Sequence, residues 1–330
     1  MNLQPQDSNE LSKALAQADA EKTIVRSIDF EHLNRIQNHS PEDMTVTVQA
    51  GMFLSDLQSH LAHSGQWLPL DPPLVEKWTI HDLMNQNPSG PRRCSAGTLR
   101  DYVIGLEAVR ANGEKIKSGG QVVKNVAGFD LCKLFIGAQG SLGVIHSVTF
   151  KLLPLPDKEL VWKCEIQNLN QLETILKRIG ALHRNALPSV LDFYSDGIGK
   201  QVGHLIVGFN GNAHAVDQSS DSLLGAKLGF EYYCTWVRAS AASSLPELEY
   251  QRQFWGNRSW NQMTKESVLR SRLPALIEQL PPTTPCVARL GQGSLYHTSE
   301  RMTVPKPRPR SLELRMKQQF DPNGILPDLP

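Results

Sequence analysis

The residues best suited to handling a ligand lie between Ser89 and Pro156. Ser89-Gly90-Pro91-Arg92-Arg93 is followed by Gly97-Thr98-Leu99-Arg100-Asp101-Tyr102. Further on come Gly119-Gly120 to Asp130, and then Gly137-Ala138-Gln139-Gly140-Ser141-Leu142-Gly143-Val144-Ile145. This is a series of glycine-bearing turns punctuated by single charges. Glycine takes positive φ without steric cost and lets a flat or phosphorylated ligand approach main-chain amides closely. Arg100 beside Asp101 can form a charge-assisted pair that fixes a loop between strands. A cofactor site built mainly from backbone has this appearance, and so does a glycine-rich fold without a ligand. The residue types alone leave both readings open.

Other chemistries are poorly supplied. His60 and His63 stand one helical turn apart without a third ligand nearby, which reads as a surface pair and not a metal site. The five cysteines (Cys94, Cys132, Cys164, Cys234 and Cys286) are scattered with no Cys-x-x-Cys pair. That argues against a disulfide framework, an iron–sulfur cluster or a zinc site, and favours a reducing cytoplasm. No Gly-x-Ser-x-Gly, Walker loop or His-Glu-x-x-His occurs, and no Gly-x-Gly-x-x-Gly follows a strand. Lysine and arginine number 34 against 33 acidic residues, so no basic surface invites a nucleic acid. Lys306-Pro307-Arg308-Pro309-Arg310 reads as an extended linker. The polar start, Met1 to Glu10, and the lack of a run of ~20 apolar residues predict neither a signal peptide nor a membrane span.

The elements that must position these residues follow from periodicity. Residues 8–20 have helical spacing, with Ser8 or Asn9 opening the helix and Leu11 and Leu15 on one face. Thr23 to Ile28 and Met44 to Gly51 read as strands, and Phe53 to His63 as a helix stopped by Gly65. The proline-rich stretch from Leu68 to Arg93 predicts ordered loops around one short helix at Ile80 to Asn85. Tyr102 to Val109, Asn112-Gly113 and Glu114 to Lys117 spell a hairpin, and Gly143 to Leu152 a further strand. Pro154-Leu155-Pro156 marks the end of a first domain, 1–156. A second, 157–305, alternates strands (from Leu160, Ser189, His204 and Glu231) with helices (from Leu172 and Asp217). That order predicts an antiparallel sheet covered by helices on one face. Phe254, Trp255 and Trp260 are expected in its core or at its border with the first domain. A tail, 306–330, returns to the first domain through a helix at Leu312 to Gln319.

Val123-Lys124-Asn125-Val126-Ala127-Gly128 together with Gly140-Ser141-Leu142-Gly143-Val144-Ile145 resembles the FAD-binding domain shared by vanillyl-alcohol oxidase, p-cresol methylhydroxylase and D-2-hydroxyacid dehydrogenases. Within that family, Gly120 to Asp130 is most similar to the FAD-binding subunit of three-subunit glycolate oxidase. The resemblance runs from Met44 to Pro156 and resumes at Arg289 to Tyr296 and at Met316 to Leu326. It implies an α+β fold, with a two-subdomain FAD-binding domain of the p-cresol methylhydroxylase (PCMH) type and an antiparallel α/β cap. It also implies a cytoplasmic flavoprotein holding FAD without a covalent tether, and oxidation of a 2-hydroxy acid such as glycolate. The implied partners are a larger flavoprotein subunit and an iron–sulfur subunit. Carried over by position, Thr79, Ser89, Gly90, Gly97, Arg100, Asp101, Gly140, Gly143 and Val144 would touch the cofactor. No catalytic base is assigned.

Two departures from the family matter. Its members carry an Arg-Gly-Gly-Gly-Thr-like loop whose amides hold the pyrophosphate, but no glycine precedes Gly51 here. Their Thr-Ile/Leu-Gly-Gly loop reads Thr79-Ile80-His81-Asp82. His81 and Asp82 add side chains where a ligand would press, and a carboxylate ~4 Å from a phosphate repels it by about 4 kcal/mol at an effective dielectric of ~20. The alternative is therefore a flavin-free, non-catalytic assembly subunit. In either case an exposed apolar patch is expected for docking, with Trp236, Phe254, Trp255 and Trp260 as candidate contributors.

Overall fold

A computed structural model describes residues 1–120, 130–180, 188–197, 203–225, 231–237, 249–256, 263–299 and 311–330. The motif at 121–129 lies outside the described residues. The chain opens with β1 (Asn2–Leu3) and α1 (Ser8–Ala20). Asp7, not Ser8 or Asn9, caps α1, its carboxylate accepting the amides of Asn9 and Glu10. Leu11, Leu15 and Ala18 bury one face of the helix. Only Ser27–Ile28 of the predicted second strand forms β2, parallel to β1. The amides before it bond elsewhere: Thr23 to Ala18, Val25 to Ile325 and Arg26 to Met1.

The next elements are β3 (Ile36–Ser40), β4 (Thr45–Gln49), α2 (Leu54–Ala62), β5 (Gln66–Trp67) and α3 (Ile80–Gln86). After them come α4 (Arg93–Ala96), α5 (Leu99–Tyr102), β6 (Val103–Val109), β7 (Lys115–Gly119), α6 (Leu131–Phe135), β8 (Val144–Lys151) and β9 (Leu153–Pro154). They build a five-stranded antiparallel sheet in the order β3-β4-β8-β6-β7. Central β8 is buried along all but its last residue. Leu54, Leu57 and Leu61 of α2 and Ile80, Leu83 and Met84 of α3 share a core with Val148 and Phe150 of β8. Asn112-Gly113 makes the expected turn between β6 and β7, with Asn112 Oδ1 accepting the Glu114 amide at 3.1 Å.

The remaining strands are β10 (Lys158–Ile166), β11 (Val190–Ser195), β12 (Gly203–Gly211), β13 (Glu231–Val237), β14 (Thr264–Ser267), β15 (Cys286–Arg289) and β16 (Ser294–His297). Between them lie α7 (Leu169–Gly180), α8 (Ala213–Gly225), α9 (Glu249–Trp255) and α10 (Leu273–Glu278), with α11 (Ser311–Phe320) last. The strands form one seven-stranded antiparallel sheet in the order β13-β10-β12-β11-β15-β16-β14. Alternation along β12 shows its two faces. Leu205, Val207 and Phe209 pack with α7, α8 and α10, whereas Ile206 points to Tyr250, Phe254 and Trp255 of α9. Helices therefore cover both faces and not one, because α9 brings its own apolar residues to the second. Phe254 and Trp255 are 6% and 2% exposed and belong to this core, so they contribute to no docking patch. Trp260 and the side chain of Trp236 lie outside the described residues. The last helix turns back to the first sheet, where Met316 and Phe320 pack against its core. Among the described residues no helix is long and apolar enough to cross a membrane.

Candidate functional site

The Thr79 loop sits at the start of α3. Thr79 caps the helix: its Oγ1 accepts the Asp82 amide at 3.1 Å and donates to Asp82 Oδ2 at 2.8 Å. The neighbouring amides are also taken, Ile80 by the Met52 carbonyl, His81 by that of Ala50 and Leu83 by that of Thr79. His81 packs against Phe30 with the rings tilted and their centroids 4.5 Å apart, and meets Asn85 at 2.9 Å. Phe30 belongs to the turn directly after β2, and a Cβ on Gly51 would lie 2.2 Å from its carbonyl oxygen. The four amides at the start of this helix all donate to protein oxygens. A phosphate would have to displace one of them.

The Ser89–Gly97 loop lies between the two sheets. Ser89 Oγ accepts from Arg93 at 2.5 Å, and Gly90 presses on Asp71, where an added Cβ would meet Oδ1 at 1.9 Å. Gln292, beyond β15, donates to the Gly90 carbonyl at 2.9 Å. Arg92 reaches both ways, to Asp71 at 2.9 Å and in bidentate fashion to Glu159 of β10 at 2.7 and 2.8 Å. Burial works against the Arg92 charge, but Glu159 and Asp71 outweigh it and hold the guanidinium protonated. Burial pushes both carboxyls up, with Arg92 opposing. A second buried set adjoins. Arg289 bonds Asp192, whose Oδ2 also accepts from Tyr250, and Arg289 donates to Gln251 at 2.8 Å. Burial, then Asp192 and Asp71, push the Cys94 thiol up to about 12, and it donates to the Ser189 carbonyl.

Arg100 and Asp101 do not pair. Arg100 donates to the Ile136 carbonyl at 3.1 Å. Asp101 instead closes a capping box on Thr98, whose amide and hydroxyl reach Asp101 Oδ2 at 2.7 and 2.8 Å. Gly97 needs its φ of +93° to make that turn. Gly140 takes φ +77°, facing Pro327 and Asn85. Gly143 abuts the Val109 carbonyl. Val144 is 4% exposed in a cluster with Leu11, Leu15, Phe30, Ile325 and Leu326. The structure thus brings Thr79, through α3, near Gly140. It sets Ser89 and Gly90 at the seam between the sheets and leaves Arg100 and Asp101 on the surface. Asp71, Glu159, Asp192, Tyr250 and Arg289 were not anticipated. Their partners lie 21 to 97 residues away, and no local spacing announces them.

Residues 11–119 match the family described as "FAD binding domain". Glycolate oxidase subunit GlcD of Bacillus subtilis is 36% identical over 164 residues, covering 50% of this chain and 34% of that protein. Glycolate oxidase subunit GlcE of Escherichia coli is 34% identical over 142 residues, covering 43% of this chain and 41% of that protein. A D-lactate dehydrogenase of Anaerostipes hadrus is 28% identical over 224 residues, 60% of this chain and 46% of that protein. The chain thus covers less than half the length of these relatives. Alkyldihydroxyacetonephosphate synthase superposes with a TM-score of 0.75 at 16% identity, over 98% of this chain and 76% of that one, which shows a shared fold. The α+β fold is the one shared with that synthase, and residues 11–119 match an FAD binding domain. FAD is the cofactor that this domain and its relatives support.

The residues present do not fit that cofactor evenly. At the start of α3, where the resemblance would put the pyrophosphate, the amides already have acceptors, Asp82 adds a carboxylate, and Phe30 occupies the turn that follows α1 and β2 directly. Burial raises the Asp82 carboxyl, but bonds from His81 and Thr79 outweigh this and hold it below its ordinary value, so it is an anion at neutral pH. A diphosphate does not fit beside it as the chain stands.

Proposed function

We propose that the chain is the FAD-domain subunit of a glycolate oxidase-like complex that oxidises a 2-hydroxy acid. In this reading it works beside a larger flavoprotein subunit and an iron–sulfur subunit. The observation that carries the reading is the FAD binding domain match over 11–119 joined to similarity with two glycolate oxidase subunits. FAD would be held weakly and without a covalent bond, by main-chain groups near Ser89–Gly97 and Gly140–Val144. A flavin-free assembly role is the second reading, favoured by the self-capped α3 and the Phe30–His81 contact.

The test is activity and company. The chain alone is expected to turn over glycolate with a dye acceptor below ~1 per second, the low end for enzymes. Tagged in its native extract, it should bring down a larger flavoprotein and an iron–sulfur protein. Flavin absorbance of the purified chain then separates the two readings. Faster turnover by the isolated chain, or a monodisperse protein without companions, would overturn the subunit role.

A further inference from the structure

Arg92 faces two carboxyls across the seam, and they do not meet it equally. Glu159 of β10 offers both oxygens: Nη2 reaches Oε1 at 2.8 Å and Oε2 at 2.7 Å, and Nε reaches Oε1 at 3.2 Å. Asp71 offers Oδ2 alone, which accepts from Nη1 at 2.9 Å and from the Arg92 amide at 3.1 Å. Among the described residues no donor reaches Asp71 Oδ1, which lies over Gly90. The Arg92 and Glu159 side chains are 5% and 3% exposed, and that of Asp71 is 16% exposed. The rest of the neighbourhood is balanced. Arg289 of β15 pairs with Asp192 of β11 and faces Tyr250 of α9 and Tyr296 of β16. Burial and then Asp192 keep Tyr250 protonated, and burial does the same for Cys94 of α4, with Asp192 and Asp71 assisting. Trp67, its ring 5.9 Å from the Arg92 guanidinium, is neutral, and exposed Arg270 acts on Cys94. Three carboxyls thus share two buried guanidiniums, and the surplus falls on the Arg92 side.

We propose that the seam is a joint tightened by one added proton: as the pH falls below neutral, Asp71 takes a proton on Oδ1, and the Arg92 charge is left to Glu159 alone. Both Glu159 oxygens accept from the guanidinium, so a proton there would displace a charge-assisted bond. Asp71 Oδ1 has no such bond to lose, and Oδ2 keeps its own. Burial raises the Asp71 carboxyl against the opposition of Arg92 and Arg289, and raises that of Glu159 against Arg92. A carboxyl whose folded pKa lies above its unfolded value binds its proton more tightly in the native state. Its contribution is complete below the unfolded pKa, about 3.9, and is lost as the pH rises through the folded pKa. The turns behave oppositely, because Asp82 and Asp101 are held below the ordinary value and weaken in acid.

Side-chain carboxyl NMR of the unaltered full chain should show Asp71 titrating above about 3.9. Urea midpoints of that chain and of Asp71→Asn, taken from about pH 4 to 8, give a second reading. The asparagine fixes the neutral form, so the unaltered chain should gain on the variant as the pH falls, by on the order of tenfold in the folding equilibrium across that range. The NMR reading needs no variant and decides the matter if Asp71→Asn does not fold. An Asp71 carboxyl that titrates at or below the ordinary value overturns the proposal. So does a difference between the two chains that stays constant with pH or moves the other way. If the unaltered chain gains on Glu159→Gln but not on Asp71→Asn, the proton sits on Glu159, which overturns the proposal for Asp71.

Discussion

The turns of the first sheet and the seam between the two sheets satisfy their polar groups in opposite ways. In the turns the partners are close in sequence: Thr79 with Asp82, Thr98 with Asp101, Asn112 with Glu114. At the seam they are distant. Arg92 joins Asp71 to Glu159, 67 residues on, and Arg289 reaches Asp192 across 97 residues. A local cap forms with its own helix and can be lost with little consequence elsewhere. A buried charge cluster holds separate parts of the chain together, and each member depends on the others.

The largest effect should come from breaking the seam. Arg289 is fully buried against Asp192, so Arg289→Ala leaves that carboxylate without its counter-charge. The expected loss is about 3–5 kcal/mol, read from urea unfolding. Replacing both partners, Arg289→Met with Asp192→Leu, should cost far less, since apolar substitutes for a buried pair are often neutral. A single variant as mild as the double would mean that the seam carries no such dependence.

A smaller effect is expected where turn and seam meet. Gly90 touches Asp71, which in turn holds Arg92. A methyl group at Gly90 would push into the Asp71 carboxylate and main chain, so Gly90→Ala should cost about 1–3 kcal/mol, as overpacking does. Thermal melting of the variant in an Asp71→Ala background checks the cause, because the cost should shrink once the carboxylate is gone.

How much of this was legible follows the same division. The helix at 8–20, the Asn112-Gly113 hairpin and the short helix after Thr79 were all readable, because spacing and turn chemistry act within a few residues. The resemblance to an FAD-binding domain was legible, and the match over residues 11–119 takes in the glycine-bearing loops before β6 but ends short of Gly140–Ile145. Three things were not. β14, β15 and β16 hold four residues each, too few to show a period. α9 reads as an aromatic cluster whose destination depends on the sheet it meets. Arg100–Asp101 looked like a pair because they are adjacent, yet consecutive helical residues point apart, and the Thr98 amide took the carboxylate instead.

That last substitution of partners gives the smallest predicted effect and a pH signature. Asp101 is exposed, and its carboxyl is held below the ordinary value first by the Thr98 amide, with slight burial opposing and the Thr98 hydroxyl assisting. A carboxylate whose folded pKa lies below its unfolded value, about 3.9, binds protons less readily in the native state. Its contribution is therefore present above pH ~4 and is lost as pH falls through the folded pKa. Thr98→Ala removes the hydroxyl partner but keeps the amide, and should cost about 1 kcal/mol at neutral pH. Asp101→Asn removes the titrating group, so its deficit against the unaltered chain should narrow as the pH is lowered below ~4. Urea midpoints for both chains at pH 3, 4, 5 and 7, as rough steps across that window, give the comparison. A deficit that stays constant with pH would show that the cap does not depend on the charge of Asp101.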